Sequence, residues 1–230
     1  MDFLCSLEAA CPEGYIKTGE PMCDHTTFRI GGPADCFVSP HDTDELLAAM
    51  DVCRRFEVPY MVIGNGSNLL VSDSGYRGVI FCICGNMDEV LVEKSGDCAY
   101  ITAGAGIMLS RLARAVSNEG YEGFEFATGI PGTLGGAVTM NAGAYGGEIK
   151  DHILYADVID ETGQVKRIRK GRLDMSYRHS AVMDRGYTVL SACFMFNKGD
   201  QEAISRKVSE LSASRKEKQP LEYPSAGSTF

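Results

Sequence analysis

The chain has 230 residues, enough for one large domain or two modest ones. With 22 basic and 31 acidic residues, its formal net charge is −9, which argues against a nucleic-acid-binding protein, since such proteins normally carry a basic face. The nine cysteines lack the spacing of a zinc site or a disulfide framework, and no apolar run approaches the ~18 residues of a membrane span. Free buried cysteines fit a reducing compartment, so we expect a cytoplasmic protein without a metal site.

The first half of the chain alternates short apolar runs with helical patterns. Residues 1–23 predict a lead-in helix and loop, and Phe28–Ser39 predicts two short strands around a turn. A helix capped by Asp42 or Thr43 follows, with an apolar stripe of Leu46, Leu47, Met50 and Cys53. The later elements are strands at Tyr60–Ile63, Val79–Cys84 and Ala99–Ala103, and a helix with Leu109, Leu112, Ala113 and Val116 on one face.

The second half is richer in glycine and ends in a helical pattern. Residues 123–147 form a long glycine-rich passage with almost no periodicity. The elements predicted after it are a hairpin of His152–Asp160 with Val165–Arg169, a strand at Thr188–Phe196, and a helix capped by Asp200 with Ile204, Val208 and Leu211 facing inward. This mixed pattern, without an internal repeat, indicates an α+β fold.

Three glycine clusters predict backbone that lies close to a ligand or to other backbone. The first, Gly64–Asn68, follows a strand, and its N–H groups and polar side chains suit a pyrophosphate, with a purely structural turn as an equal alternative. The second, Gly104–Gly106 at a strand-to-helix junction, favours a structural turn. The third, from Thr128 to Gly147, is poor core filler, so it predicts contact with a flat heteroaromatic ligand whose edges pair with the irregular backbone.

Several motifs, taken in order along the chain, resemble those of the UDP-N-acetylenolpyruvoylglucosamine reductases, also called UDP-N-acetylmuramate dehydrogenases. These motifs are His25–Gly32, Ile63–Leu70, Gly129–Ala137, Asn141–Gly146, Ser176–Ser180 and Gln219–Phe230. The resemblance covers nearly the whole chain past about residue 15. The short distance between the last two motifs is similar to the second of the family's two structural types.

The resemblance implies an FAD-binding fold of the p-cresol methylhydroxylase and vanillyl-alcohol oxidase type. In that fold two α+β subdomains, here residues 1–98 and 99–199, hold FAD, and a third domain binds the UDP-sugar. Residues 200–230 correspond to the start of this third, substrate-binding domain. The family's third catalytic residue, a glutamate near the end of a longer chain, cannot be placed in this sequence. We therefore expect that these 230 residues bind FAD but turn over poorly or not at all.

The resemblance also implies a reaction. NADPH reduces FAD, and the flavin N5 then gives a hydride to UDP-N-acetylenolpyruvoylglucosamine, which yields UDP-N-acetylmuramate for peptidoglycan precursor synthesis. Arg178 matches the catalytic arginine that holds the substrate carboxylate, and Ser228 matches the proton donor. Tyr145 and Tyr177 match substrate-binding positions, and Lys218 matches a basic residue near the diphosphate of UDP.

The residues matched to FAD contacts lie in the first and third glycine-rich passages. They are Gly64, Asn65, Gly66, Ser67, Asn68, Leu69, Thr128, Gly129, Ile130, Gly132, Gly135, Gly136, Ala137, Asn141 and Gly143.

Two other interpretations are compatible with the sequence. Another FAD-linked oxidase or dehydrogenase on the same fold would often hold its flavin covalently through His or Cys, and mass spectrometry would detect that adduct. A non-enzymatic nucleotide-binding module would lack the combination of Arg178 and Ser228. A protein that gains no flavin absorbance when FAD is added would favour the module.

Overall fold

The computed structural model describes residues 2–219 and 223–225. Its helices are α1 (Phe3–Ala10), α2 (Thr43–Arg55), α3 (Leu109–Asn118), α4 (Leu134–Thr139), α5 (Ile149–His152), α6 (Ala181–Asp184) and α7 (Gln201–Lys218). Its strands are β1 (Tyr15–Pro21), β2 (Pro33–Ser39), β3 (Tyr60–Ile63), β4 (Tyr76–Cys82), β5 (Val90–Ser95), β6 (Cys98–Gly104), β7 (Gly143–Ala144), β8 (Gly147–Glu148), β9 (Ile153–Ile159), β10 (Val165–Arg169) and β11 (Thr188–Asn197). The contacts divide these residues into two compact units, residues 2–87 with 223–225, and residues 88–219.

The first unit is built on a four-stranded sheet in the order β1-β2-β4-β3. Strand β1 is antiparallel to β2, whereas β2 and β3 are both parallel to β4. Helix α2 begins where the sequence predicts, because the Asp42 side chain accepts a hydrogen bond from the Glu45 N–H at 2.9 Å. A core cluster of this unit consists of Met22, Ala34, Phe37, Ile63 and Ile80.

The second unit contains a five-stranded antiparallel sheet in the order β10-β9-β11-β6-β5. Phe124 packs at its centre, with ring centroids 5.3 Å from Phe126, 5.6 Å from Phe194 and 5.2 Å from Phe196. The predicted hairpin corresponds to β9 and β10, and the Asp200 side chain caps α7 as expected. The sheet thus provides a rigid, aromatic-packed base for the glycine-rich passage.

Two predicted elements were wrong, and three strands, β5, β7 and β8, were missed. Tyr15–Pro21 forms a strand rather than a loop, and it pairs with Pro33–Ser39. The second strand predicted in Phe28–Ser39 does not form, because Arg29 and Gly31 have positive φ angles of 56° and 137°, which interrupt an extended backbone. Strand β5 was not predicted, since only one of its faces is partly covered.

The two compact units meet in the sequence at residue 87 rather than at residue 98, because β5 pairs with β6 and therefore belongs to the second sheet. Helix α7 packs on the second unit as well, through α3 and the turn at Glu125–Gly129. The assignment of residues 1–98 and 99–199 to FAD-binding subdomains, and of residues 200–230 to a substrate-binding domain, stays a prediction.

The described residues also bear on membranes, metals and thiols. None of their helices is long and apolar enough to cross a bilayer. Their His, Cys, Asp and Glu side chains form no group of three that could hold a metal ion. The nine cysteines, all within the described residues, form no disulfide, and burial raises the pKa of Cys11 and Cys53 to about 12, which keeps these two in the neutral form.

A buried carboxylate fastens the N-terminal segment to α2. Glu45 is only 8% exposed, and its two carboxylate oxygens accept hydrogen bonds from the N–H groups of Glu13 and His41, each at 2.7 Å. Both bonds are charge-assisted, because the acceptor is a carboxylate. The two donor amides lie in loops, outside every helix and strand. Glu45 therefore ties the loop after α1 and the loop before α2 to a single side chain.

We predict that Glu45→Ala lowers the free energy of unfolding by about 2–4 kcal/mol, because two backbone donors lose a charged acceptor. Asp44→Ala is the matched control, since Asp44 is exposed in the same first turn of α2, and it should cost less than about 1 kcal/mol. Chemical denaturation of both variants measures the difference. Equal costs for the two substitutions would contradict this role for Glu45.

Candidate functional site

A glycine-rich loop follows β3 in the first unit. Gly66 has a left-handed φ of 58°, and its carbonyl accepts a hydrogen bond from the Thr27 N–H at 3.3 Å. A Cβ atom at Gly66 would lie 2.0 Å from the carbonyl oxygen of His25. Both the φ angle and this close approach therefore require glycine at position 66.

The same loop presents a run of backbone donors. Within residues 2–219 and 223–225, the N–H groups from Gly66 to Leu69 donate to no oxygen of the chain. The side chains of Ser67 and Asn68 likewise have no hydrogen-bond partner in that part of the chain. Consecutive N–H groups flanked by hydroxyl and amide donors can bind an oxyanion such as a phosphate. The loop predicted from Gly64 to Leu69 thus carries the chemistry of an anion site.

Thr27 joins this loop to the segment at residues 223–225. Its carbonyl accepts a hydrogen bond from the Ser225 N–H at 3.0 Å, and its hydroxyl donates to the Ser225 carbonyl at 2.7 Å. The predicted proton donor Ser228 lies outside the described residues. No sequence signal pointed to Thr27 in this role, because its partner is 198 positions away.

In the second unit, the start of α4 is fastened to the turn that follows β6. The Leu134 N–H donates to the carbonyl of Ile107, and the Gly135 N–H to that of Ala105, both at 2.9 Å. A Cβ atom at Gly135 would lie 3.1 Å from the Ala105 Cβ, so glycine permits this close packing. Gly104–Gly106 thus has the geometry of the structural turn that the sequence favoured.

The remaining candidates around α4 differ in exposure. Ala137 is buried with Gly135, so both serve the core in this structure. Gly136 is exposed, and a Cβ atom there would meet no atom within 4 Å. The half-buried or exposed candidates of the same passage are Thr128, Gly129, Ile130, Gly132 and Gly143. The residues that a ligand could contact therefore lie beside Gly135 and Ala137 rather than at these two positions.

Asn141 lies just after α4 and is only 2% exposed. Its side-chain Nδ2 donates to the Glu148 carboxylate at 2.9 Å and to the Ser176 carbonyl at 2.8 Å, and its Oδ1 accepts from the Lys150 N–H at 3.0 Å. Both amide donors are therefore used inside the chain. Donation of a hydrogen bond from this side chain to a ligand would require breaking one of these contacts, and the role of Asn141 in FAD binding stays a prediction.

Tyr145 lies at the tip of the short hairpin formed by β7 and β8. The two residues between the strands, Tyr145 and Gly146, have φ angles of 51° and 85°, as in a type I′ turn. A Cβ atom at Gly147 would lie 2.4 Å from the Phe126 ring, so the hairpin packs closely on the aromatic core. This packing leaves the Tyr145 side chain 48% exposed.

Tyr177 and Arg178 occupy the tip of a second tight turn. Ser176 and His179 exchange two backbone hydrogen bonds, each at 3.2 Å, and Arg178 has a left-handed φ of 54°. Tyr177 is 70% exposed, and the Arg178 guanidinium is exposed with no ion pair or hydrogen bond among the described residues. Asn141 connects this turn with the Tyr145 hairpin, because Ser176 and Glu148 are both its partners.

His179 follows Arg178 and supports the same turn. Its Nε2 lies 2.8 Å from an Asp184 carboxylate oxygen, and its Nδ1 lies 3.2 Å from the Asp174 carbonyl oxygen. The hydrogen bond with Asp184 raises the pKa of His179 above its usual value. Since both ring nitrogens face acceptors, the doubly protonated ring satisfies the two contacts best. In the sequence, His179 stands inside the motif Ser176–Ser180 without a role of its own.

Lys218, the predicted diphosphate contact, is the exposed last residue of α7 in the second unit. The candidate residues are therefore divided between the units. Gly64–Leu69 belongs to the first, and the other described candidates, from Thr128 to Lys218, belong to the second.

Comparison with known proteins places this geometry in a family. A family model described as an FAD binding domain matches residues 34–169. The chain is 49% identical over 215 residues to the UDP-N-acetylenolpyruvoylglucosamine reductase of Lachnoclostridium phytofermentans, covering 94% of this chain and 69% of that protein. It also matches the crystal structure of UDP-N-acetylenolpyruvylglucosamine reductase from Thermus caldophilus, with a TM-score of 0.77, 30% identity, and coverage of 95% of this chain and 74% of the other.

A more distant likeness concerns the fold alone. A cholesterol oxidase from Brevibacterium sterolicum matches with a TM-score of 0.62 and 13% identity, covering 81% of this chain and 38% of the oxidase. Together with the family match, this likeness identifies the FAD-binding fold of the p-cresol methylhydroxylase and vanillyl-alcohol oxidase type, which confirms the fold predicted from the sequence. The chain belongs to the UDP-N-acetylenolpyruvoylglucosamine reductase family of oxidoreductases.

Proposed function

We propose that this chain binds FAD and, with NADPH as reductant, takes part in the reduction of UDP-N-acetylenolpyruvoylglucosamine to UDP-N-acetylmuramate. The observation that carries the cofactor half of the proposal is the run of N–H groups from Gly66 to Leu69, which fits the pyrophosphate of FAD. The substrate half rests on family membership and on the exposed turn that carries Arg178. When bound, FAD supplies a two-electron carrier between NADPH and the substrate.

Arg178 is the residue proposed to hold the substrate carboxylate. Its guanidinium has five N–H donors in a planar fork, stays charged at all relevant pH values, and can bind a carboxylate through two parallel hydrogen bonds. Negative charge accumulates next to this carboxylate when a hydride adds to the neighbouring double bond. A fixed cation at that point stabilises the transition state more than the ground state.

Ser228 is the proposed proton donor because of the family resemblance, and it lies outside the described residues. A serine hydroxyl is a weak acid, so it can protonate only a strongly basic centre such as a carbon that carries the developing charge. Tyr145 and Tyr177, both exposed, and Lys218 at the end of α7 are proposed to contact the sugar nucleotide.

We predict that Gly66→Ala raises the dissociation constant for FAD at least about tenfold, the loss expected for one charge-assisted hydrogen bond. The new Cβ atom would meet the His25 carbonyl and push the loop out of its conformation. Gly96→Ala is the matched control, because Gly96 has nearly the same φ, 59°, and a Cβ atom there would meet nothing within 4 Å. Titration of the apoprotein with FAD, followed by flavin absorbance, measures both variants. Unchanged FAD affinity in Gly66→Ala would contradict pyrophosphate binding by this loop.

We predict that Arg178→Lys slows the reoxidation of NADPH-reduced flavin by the enolpyruvyl sugar nucleotide by about 10²–10³-fold, because lysine keeps the charge but loses the two-point geometry. Anaerobic single-turnover mixing measures the rate even where turnover is slow. FAD affinity and the rate of flavin reduction by NADPH should not change. Arg172→Lys, at another exposed arginine without an ion pair among the described residues, should have no effect. A normal rate in Arg178→Lys would exclude the proposed role.

We predict that His179 makes part of the protein's stability depend on pH. Because its folded-state pKa is raised, its contribution is fully present below the unfolded-state pKa of about 6.5 and is lost as pH rises through the folded-state pKa. The difference in thermal midpoint between wild type and His179→Gln should therefore shrink between about pH 5.5 and pH 9. Asp184→Asn should remove the same pH-dependent difference, since it removes the charged partner. A difference that is independent of pH would show that the ring is not held as a cation.

A further inference from the structure

Asn141 is placed to link the two turns that carry the exposed tyrosines and Arg178. Its side chain is buried, and all three of its hydrogen bonds go to groups of the second unit: the Glu148 carboxylate, the Lys150 N–H and the Ser176 carbonyl. Glu148 ends the hairpin whose tip is Tyr145, and Lys150 follows two residues later. Ser176 begins the turn whose tip holds Tyr177 and Arg178. One amide group thus contacts both segments.

We infer that Asn141 is a positioning residue that fixes the Tyr145 hairpin and the Tyr177–Arg178 turn relative to each other. The functional meaning of this link rests on the proposed function, in which the exposed side chains of both turns contact the same sugar nucleotide. The physical link itself does not depend on that function. It follows from the three hydrogen bonds and from the burial of the side chain that makes them.

The chemistry of the site requires asparagine rather than a similar residue. An aspartate would offer no donor to the Glu148 carboxylate or to the Ser176 carbonyl, so acceptor would face acceptor at both contacts. With alanine at this position, the Ser176 carbonyl would accept only from the His179 N–H, and the Lys150 N–H would lose its acceptor. Asparagine also tolerates the left-handed φ of 45° at this position better than most residues.

The electrostatics at Glu148 reinforce the link. Its carboxylate lies 2.6 Å from the Lys150 Nζ and also accepts from Asn141, and these two contacts lower the pKa of Glu148. The carboxylate is therefore charged, which makes its hydrogen bond from Asn141 a charge-assisted one. A second, independent tether exists nearby, since the fully buried Ser180 hydroxyl donates to the Thr139 carbonyl. That tether holds the 176–180 segment without contacting the hairpin.

The link is tested by hydrogen–deuterium exchange on the apoprotein, which needs neither cofactor nor substrate. Asn141→Ala should speed exchange by about tenfold in peptides covering both residues 143–150 and residues 176–180, as expected for the loss of one hydrogen bond in each. Ser180→Ala, the control, should speed exchange only in the second peptide. Thermal unfolding establishes that each variant is folded. Unchanged exchange in either peptide of Asn141→Ala would overturn the inference.

A double variant separates the two arms of the link. In Asn141→Asp with Glu148→Gln, the donor and acceptor across that hydrogen bond are exchanged, so the new glutamine amide can donate to the new aspartate. Protection of residues 143–150 should return toward the wild-type value, whereas residues 176–180 should stay fast, because the aspartate cannot donate to the Ser176 carbonyl. Glu148→Gln alone should speed exchange less than Asn141→Ala does, since its side-chain oxygen can still accept from Asn141 and only the charge of the acceptor is lost. Failure of the double variant to restore the first peptide would overturn the assigned Asn141–Glu148 contact.

The functional arm uses the FAD-loaded chain titrated with the enolpyruvyl sugar nucleotide, with binding read from the flavin spectrum. Asn141→Ala should weaken binding of the sugar nucleotide at least about tenfold more than it weakens binding of FAD. A merely structural defect would instead weaken both to the same extent. Normal sugar-nucleotide affinity in Asn141→Ala would overturn the positioning role. If the wild-type chain itself binds no sugar nucleotide, the proposed function fails, and the exchange experiment still decides the link.

Discussion

The hydrogen bonds between the start of α4 and the turn after β6 determine where the candidate substrate-contacting residues of the second unit lie. They fix α4 against the five-stranded sheet through Leu134 and Gly135, whose N–H groups donate to the backbone of that turn. The end of α4 is consequently fixed as well, and Asn141 projects from it into the space between two tight turns. Tyr145 and Arg178 are thus positioned by a path of backbone and amide hydrogen bonds that begins at the sheet.

The same dependence explains why the glycines of this chain serve different purposes. Gly66 and Gly135 allow two stretches of chain to approach each other. A side chain at position 66 would collide with the His25 carbonyl, and one at position 135 would contact Ala105 tightly. Gly136 has open space around its Cα, so protein packing does not require glycine there. Protein packing does not require glycine at such a position, and its neighbours are anchored to the core. A ligand can therefore approach the backbone closely there. Glycine content alone does not separate these two uses, but the direction of the missing Cβ does.

The sequence predicts elements well where burial imposes a period, and poorly where it does not. Helix α2 carries a clear apolar stripe and the expected cap, and strand β9 is mostly buried, and both form. Strands β1 and β5 have only one fully buried residue between them, so neither has an alternating pattern to detect. The site follows the same rule. Motif resemblance predicts Arg178 and Tyr145 as site residues. The contacts of Asn141 with Ser176 and of Thr27 with Ser225 join distant positions that no local pattern relates.

Backbone strain in the second unit is concentrated at the candidate substrate turns. Among the described residues of that unit, the non-glycine residues with positive φ are Asn141, Tyr145, Asp174 and Arg178. Conformations of this kind cost about 1–3 kcal/mol each and persist only where the surroundings impose them. Here the Asn141 hydrogen bonds and the His179 contacts with Asp174 and Asp184 impose them. The strain contributes nothing to the core, since the Tyr145 and Arg178 side chains point to solvent. It fixes the backbone from which these two exposed side chains extend.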